Sequence, residues 1–218
     1  YALTSGTHNV IIGSQTGAAL AANDYNIAIG SFALDAANSG EHNNIAIGYG
    51  SLGAETSGAD GCVAVGHKAL HNQDIDGAGN TAVGYQAALN LSTGQYSTYV
   101  GYNAGGVGTI TGNSNTILGY NAAYDLTSGS DNVVIGVNAA QNFTANISNV
   151  VIGKDAMEAA NAGEHYNVAI GDSALTTLDN PNGDGNVAIG HEALKVLNTA
   201  NPQSVAVGYQ AGLNATTA

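Results

Sequence analysis

The pentapeptide Asn-Ile-Ala-Ile-Gly at residues 26–30 returns in near-identical form along the whole of this 218-residue chain. Its first position is occupied by Asn9, Asn26, Asn44, Cys62, Asn80, Ser97, Asn115, Asn132, Asn149, Asn167, Asn186 and Ser204, at intervals of 17 to 19 residues. A glycine follows four residues later in every copy, from Gly13 to Gly208, and three residues beyond it stands Ala in ten copies, with Thr16 and Ser51 in the others. Unit after unit of about 18 residues cannot each bury a hydrophobic face alone, whereas stacked units bury a continuous column. The period therefore predicts an all-β, parallel β-solenoid of about twelve coils, with residues 1–218 forming one repeat domain.

Within each phrase the residue before the glycine is Ile, Val or Leu, and the residue two earlier is Val, Ile or Thr. Such β-branched side chains suit a pleated strand, and alternate positions share one face. The larger pair is expected to point into the coil. The intervening residues (Ile11, Ala28, Ala46, Ala64, Ala82, Tyr99, Ile117, Val134, Val151, Ala169, Ala188 and Ala206) are then expected on the outside. None of them is charged, and a smooth apolar stripe of that length predicts a self-association seam. The glycine predicts a bend with positive φ. Asn at the start of nine of the twelve coils predicts either an amide column running along the stack or local turn chemistry. Cys62 and Ser97 share that slot, which makes Cys62 a small structural residue. After the glycine, segments such as HEALKVLN (191–198) predict a second short strand or one helical turn before a polar connection.

Composition removes several classes of function. Charged residues are 9% of the chain, three of them lysines and none arginine, and the net charge is −13. Neutralising nucleic-acid phosphates or an anionic membrane surface needs basic residues in quantity, so neither partner is expected. No apolar run is long enough to span a bilayer, and a lone cysteine leaves no intrachain disulfide framework.

No constellation points to catalysis. The six histidines are scattered along the chain, and the i, i+4 pair His67 and His71, which share one coil, lacks a third metal ligand. Oxygen-rich turns at 74–80 and 180–185 make Asp74, Asp76, Asn182 and Asp184 weak calcium candidates, but the bidentate Glu of a calcium loop is absent, and no cofactor is expected. An enzyme built on a solenoid would need clustered acids, bases or arginines. An ice-binding solenoid would present an outward threonine array.

The Asn-[Val/Ile/Thr]-Ala-[Ile/Val]-Gly phrase, followed at the third residue by Ala or Ser, resembles the head-domain repeat of trimeric autotransporter adhesins (the YadA-like head) and related repeats of phage tail fibres. The resemblance covers the whole chain. It implies a left-handed parallel β-roll, three parallel chains about one axis, and an extracellular location on a cell surface or virion fibre. It also implies attachment to a host-surface protein or glycan. The coils here are longer than in such adhesin heads, and no stalk or anchor segment is present in the sequence, which leaves a surface adhesin, a phage tail-fibre shaft and a self-stacking filament subunit as alternatives. Tyr49, Tyr85, Tyr102, Tyr120 and Tyr209 follow their glycines directly and form a candidate contact column, or a stack that covers its neighbours. Residues 1–9 match the internal 124–132 at six positions, so each end is expected to abut further structure, either more fibre or another copy stacked end to end. Twelve rungs at roughly 4.8 Å predict a rod about 50–60 Å long. Small-angle scattering should report that elongated shape; a compact globe would contradict it.

Overall fold

The computed structural model describes residues 6–216 except 19, 21, 37–39, 55–57, 74–77, 107, 161–162, 179–182 and 199–202. Each repeat contributes a three-residue strand: Val10–Ile12, Ile27–Ile29, Ile45–Ile47, Val63–Val65, Thr81–Val83, Thr98–Val100, Thr116–Leu118, Val133–Ile135, Val150–Ile152, Val168–Ile170, Val187–Ile189 and Val205–Val207. These twelve pair in parallel, each with the next copy, in one sheet. The register never slips: Ala28 lies beside Ala46, Ala46 beside Ala64, and Tyr99 beside Ile117. The chain is thus a β-solenoid. A second parallel sheet forms in the last three coils from Thr177–Leu178, Val196–Asn198 and Asn214–Thr216. Helix-forming composition in HEALKVLN is overridden there by pairing along the stack, and no helix occurs among the described residues.

The expected orientation of the strands is reversed. Ala28, Ala46, Ala64, Ala82, Tyr99, Ile117, Val134, Val151, Ala169 and Ala188 lie fully inside the coil, and Ile11 and Ala206 in the end rungs are half-buried against it. None of the twelve can form an outer seam. It is the larger flanking pair that faces outward. The cause is the narrowness of the coil, whose far wall already fills the interior. Where the strand centre is Ala28, Ala46, Ala64, Ala169 or Ala188, the residue four past the glycine is Leu34, Leu52, Leu70, Leu175 or Leu194. Where the centre is large, that partner shrinks: Ile11 with Gly17, Tyr99 with Gly105, Ile117 with Ala123, Val134 with Ala140. The two positions meet across the core, because a Cβ placed on Gly105 would lie 2.6 Å from two Tyr99 ring carbons and 3.2 Å from Ile110. Most rungs thus trade volume between the two positions, as close packing demands, whereas Ala82 with Ala88, Val151 with Met157 and Ala206 with Gly212 do not.

The recurrent glycine adopts positive φ in every copy, as expected, for instance +128° at Gly30. Position in the stack explains why no side chain is tolerated. A Cβ on Gly30 would sit 2.6 Å from the carbonyl oxygen of Gly48 in the next coil. Left-handed backbone is not confined to glycine. Phe32, Leu34, Leu52, Gln86 and Ala88 all have φ between 48° and 58°. This geometry aims successive N–H groups in opposite directions along the axis: Phe32 N–H donates back to Ser14 O at 3.1 Å, and Leu34 N–H forward to Ser51 O at 3.0 Å. Each such residue costs about 1–3 kcal/mol, offset by a bond that would otherwise be missing.

The Tyr99–Gly105 pair generates a test. Gly105→Ala, at φ +72°, should destabilise the protein by about 1–3 kcal/mol through overpacking. The exchange Tyr99→Ala with Gly105→Leu, which recreates the arrangement of Ala64 with Leu70, should recover much of that loss in thermal melting.

Candidate functional surfaces

Three surfaces are built by the stacking itself. The first is the outward sheet face, two parallel rows formed by the first and third residue of each strand. Ile12 is 58% exposed, and Ile47, Val83, Leu118 and Val207 are likewise exposed. Thr81, Thr98 and Thr116 are the only hydroxyl residues in the two rows, and neither row carries a charge or an amide. The regular threonine array that ice binding would require is therefore absent from the true outer face as well.

The second surface is an aromatic column. Phe32 meets Tyr49 edge-on, and from Tyr49 the rings of His67, Tyr85, Tyr102 and Tyr120 stack with centroids 4.8–5.4 Å apart and planes within 17° of parallel. Tyr209 stands apart from them, stacked on His191 at 5.3 Å. Four of the five tyrosines read from sequence thus belong to one column, which also recruits His67 because that residue occupies the same position after its glycine. The ring faces are spent on one another, so what remains accessible is ring edges and phenol hydroxyls. That geometry makes the column a brace between coils, with little apolar face left for a ligand.

The third feature is internal. The asparagines that open the coils form a ladder, but it runs from side chain to backbone. The Oδ1 of one accepts the main-chain N–H of its successor: Asn9 from Asn26 at 2.9 Å, Asn26 from Asn44 at 2.9 Å, Asn149 from Asn167 at 2.9 Å. The Nδ2 group donates to a carbonyl three residues before the opening residue of the next coil, as Asn44 does to Ala59 and Asn115 to Gly129. Ser97 substitutes with its Oγ, accepting from Asn115 N–H at 3.0 Å. At Cys62, which is buried, the amide of buried Gln73 contacts the sulfur at 3.2 Å and accepts from Asn80 at 2.9 Å, bridging the interruption. Gln73 could not have been found from the strand phrase, since it sits in a connection.

Asp74, Asp76 and Asn182 lie outside the described residues. Asp184 accepts the His165 main-chain N–H at 2.7 Å, and among the described residues no three His, Cys, Asp or Glu side chains are grouped to hold a metal. His67 and His71 are separated in role: His71 Nδ1 donates to Gly50 O at 2.7 Å, while His67 is sandwiched between tyrosines. Among the described residues there is no pocket, and no helix is long and apolar enough to cross a membrane. No protein-family model matches the chain, and no curated protein matches it.

Burial gives one residue a distinctive titration. Desolvation pushes the Tyr99 phenol up to about 12, against weaker opposite pulls from the nearby Ser97 and Asn115 side chains, neither of which reaches hydrogen-bonding geometry with its hydroxyl. An unfolded tyrosine ionises near pH 10. The neutral phenol's contribution is therefore intact below pH ~10 and is lost as pH rises toward 12, because only the unfolded chain then releases the proton readily. Alkaline melting curves should show Tyr99→Phe retaining more stability than the parent above pH ~10, with little difference at neutral pH.

Proposed function

We propose that this chain is a segment of an extracellular structural and adhesive fibre that works as a homotrimer, with the two exposed rows of the outer sheet face as its seam. The observation that carries this reading is the face itself. A solvated strand face normally alternates apolar and polar residues, yet here Val, Ile, Leu and three threonines occupy every outward position of twelve consecutive strands. An uninterrupted apolar band of that kind marks an interaction surface. Unbroken register gives equivalent copies matching rows along their full length, and identical chains close most simply by rotational symmetry. The resemblance to adhesin-head and tail-fibre repeats points the same way. In this reading the solenoid spans distance, and the connections, repeated at each coil, supply many weak contacts to a surface protein or glycan whose sum is avidity.

Sedimentation at micromolar concentration tests the seam. The parent chain should be a trimer, and Ile47→Glu with Val83→Glu should yield folded monomers, because charge is buried only in the assembly. Ala46→Glu should instead unfold the chain, since that side chain points into the coil. A parent chain that sediments as a monomer would refute the proposal.

A further inference from the structure

The sequence Gly-Glu-His-x-Asn occurs twice, at 40–44 and 163–167, and the two copies fold alike. Glu41 and Glu164 enter the coil and are buried. Each accepts through Oε2 from an asparagine of the preceding coil, Asn23 at 2.5 Å and Asn146 at 2.8 Å. The adjoining histidine takes a place in a second axial column, two residues before the asparagine ladder. In that column a side chain accepts the main-chain N–H of the coil before it, and its own N–H is donated to the coil after. His42 Nδ1 accepts from Asp24 N–H at 3.0 Å, and His42 N–H donates to Asp60 Oδ1 at 2.7 Å. His165 repeats the arrangement with Ile147 N–H at 3.1 Å.

A main-chain N–H can only donate, so the Nδ1 of His42 must hold a lone pair and the ring is the Nε2–H tautomer. Elsewhere the column uses Asn113 Oδ1, which accepts from Gln95 N–H at 2.8 Å, and Ser130 Oγ, which accepts from Asn113 N–H at 3.0 Å. Neither of these titrates, and a protonated aspartic acid still keeps an acceptor oxygen. Imidazole alone loses all acceptor capacity when it takes up a proton.

We propose that His42 is an acid-operated catch between adjacent coils: proton uptake at Nδ1 releases the Asp24 N–H and turns the ring toward the carboxylates around it. Those carboxylates are Asp24 from the coil before and Asp60 from the coil after; the adjoining Glu41 is turned into the coil on Asn23, and His8 is the other titratable group acting on Asp24. The strand pairs on either side, Ile27 with Ile45 and Ile45 with Val63, involve no titratable group and stay closed. The event is therefore a rearrangement of one turn on an intact rod. It depends only on contacts within one chain and holds whether or not three chains associate.

Nuclear magnetic resonance on the full chain tests it. At pH 8 the His42 ring nitrogens should report the Nε2–H tautomer. Between pH 8 and pH 5 the Asp24 amide should lose at least tenfold of its hydrogen-exchange protection after correction for intrinsic rates, while Gln95 keeps its own. His42→Asn, which places an Asn113-like acceptor in the column, should abolish that change. An Nδ1–H tautomer at pH 8, or equal Asp24 protection at both pH values, would overturn the proposal without recourse to any variant. So would an identical loss in His42→Asn.

Discussion

Hydrogen bonding along the stack axis is the constraint on which everything else in this protein rests. A coil of 17 to 19 residues has too little interior to hold itself together, and most of its main-chain groups have no partner within the coil beyond short turn bonds such as Ala33 N–H to Gly30 O at 3.2 Å. They find them in the coils above and below, in the strands and also throughout the bends, as in Gly50 N–H to Ser31 O and Leu52 N–H to Ala69 O, both 3.0 Å. Each bond contributes only about 0.5–1.5 kcal/mol net, but leaving a buried group unpaired costs about 1–3 kcal/mol. The stack therefore tolerates many left-handed non-glycine residues that an ordinary fold would avoid.

From that constraint follow the recurrent residues. Where backbone must approach backbone between coils, glycine is obligatory, and the carbonyl of Gly48 occupies the place a Gly30 side chain would need. At the turn into each strand a main-chain N–H has no carbonyl opposite it, and asparagine supplies the acceptor while its amide donates to the turn that leads into the next coil. Serine can accept but cannot donate as far, and Cys62 does neither well, which is why a buried glutamine is drafted in beside it. The aromatic column and the Asp–His column are further instances of one rule: any side chain repeated at the coil period meets its own copy and is used to tie coils together.

How much of this could be read in advance depended on whether a feature repeats. The period, the strand position, the positive φ of the glycine and the structural use of Asn26 or Asn149 were legible, because twelve copies average away local accidents. The orientation of the strands was not. Alternation separates two faces without saying which is inner, and side-chain size by itself points the larger pair the wrong way. The decisive clue was present in the pairing of Ala28 with Leu34 and of Tyr99 with Gly105, but it gains meaning only once those positions are known to face each other. The tyrosine column was visible as a register; that its ring faces are consumed by stacking was not.

The sequence by itself determined a one-dimensional object: how many coils, where each bends, and which residues recur in line, since stacking converts periodicity directly into columns. Tertiary structure alone decided what lies between the columns. The far wall of the coil fills the interior and leaves Ala46 room but excludes Ile45 and Ile47, and this turns the apolar rows of the sheet outward. That outcome is set by distances across the coil between residues several positions apart, a quantity that no local pattern encodes.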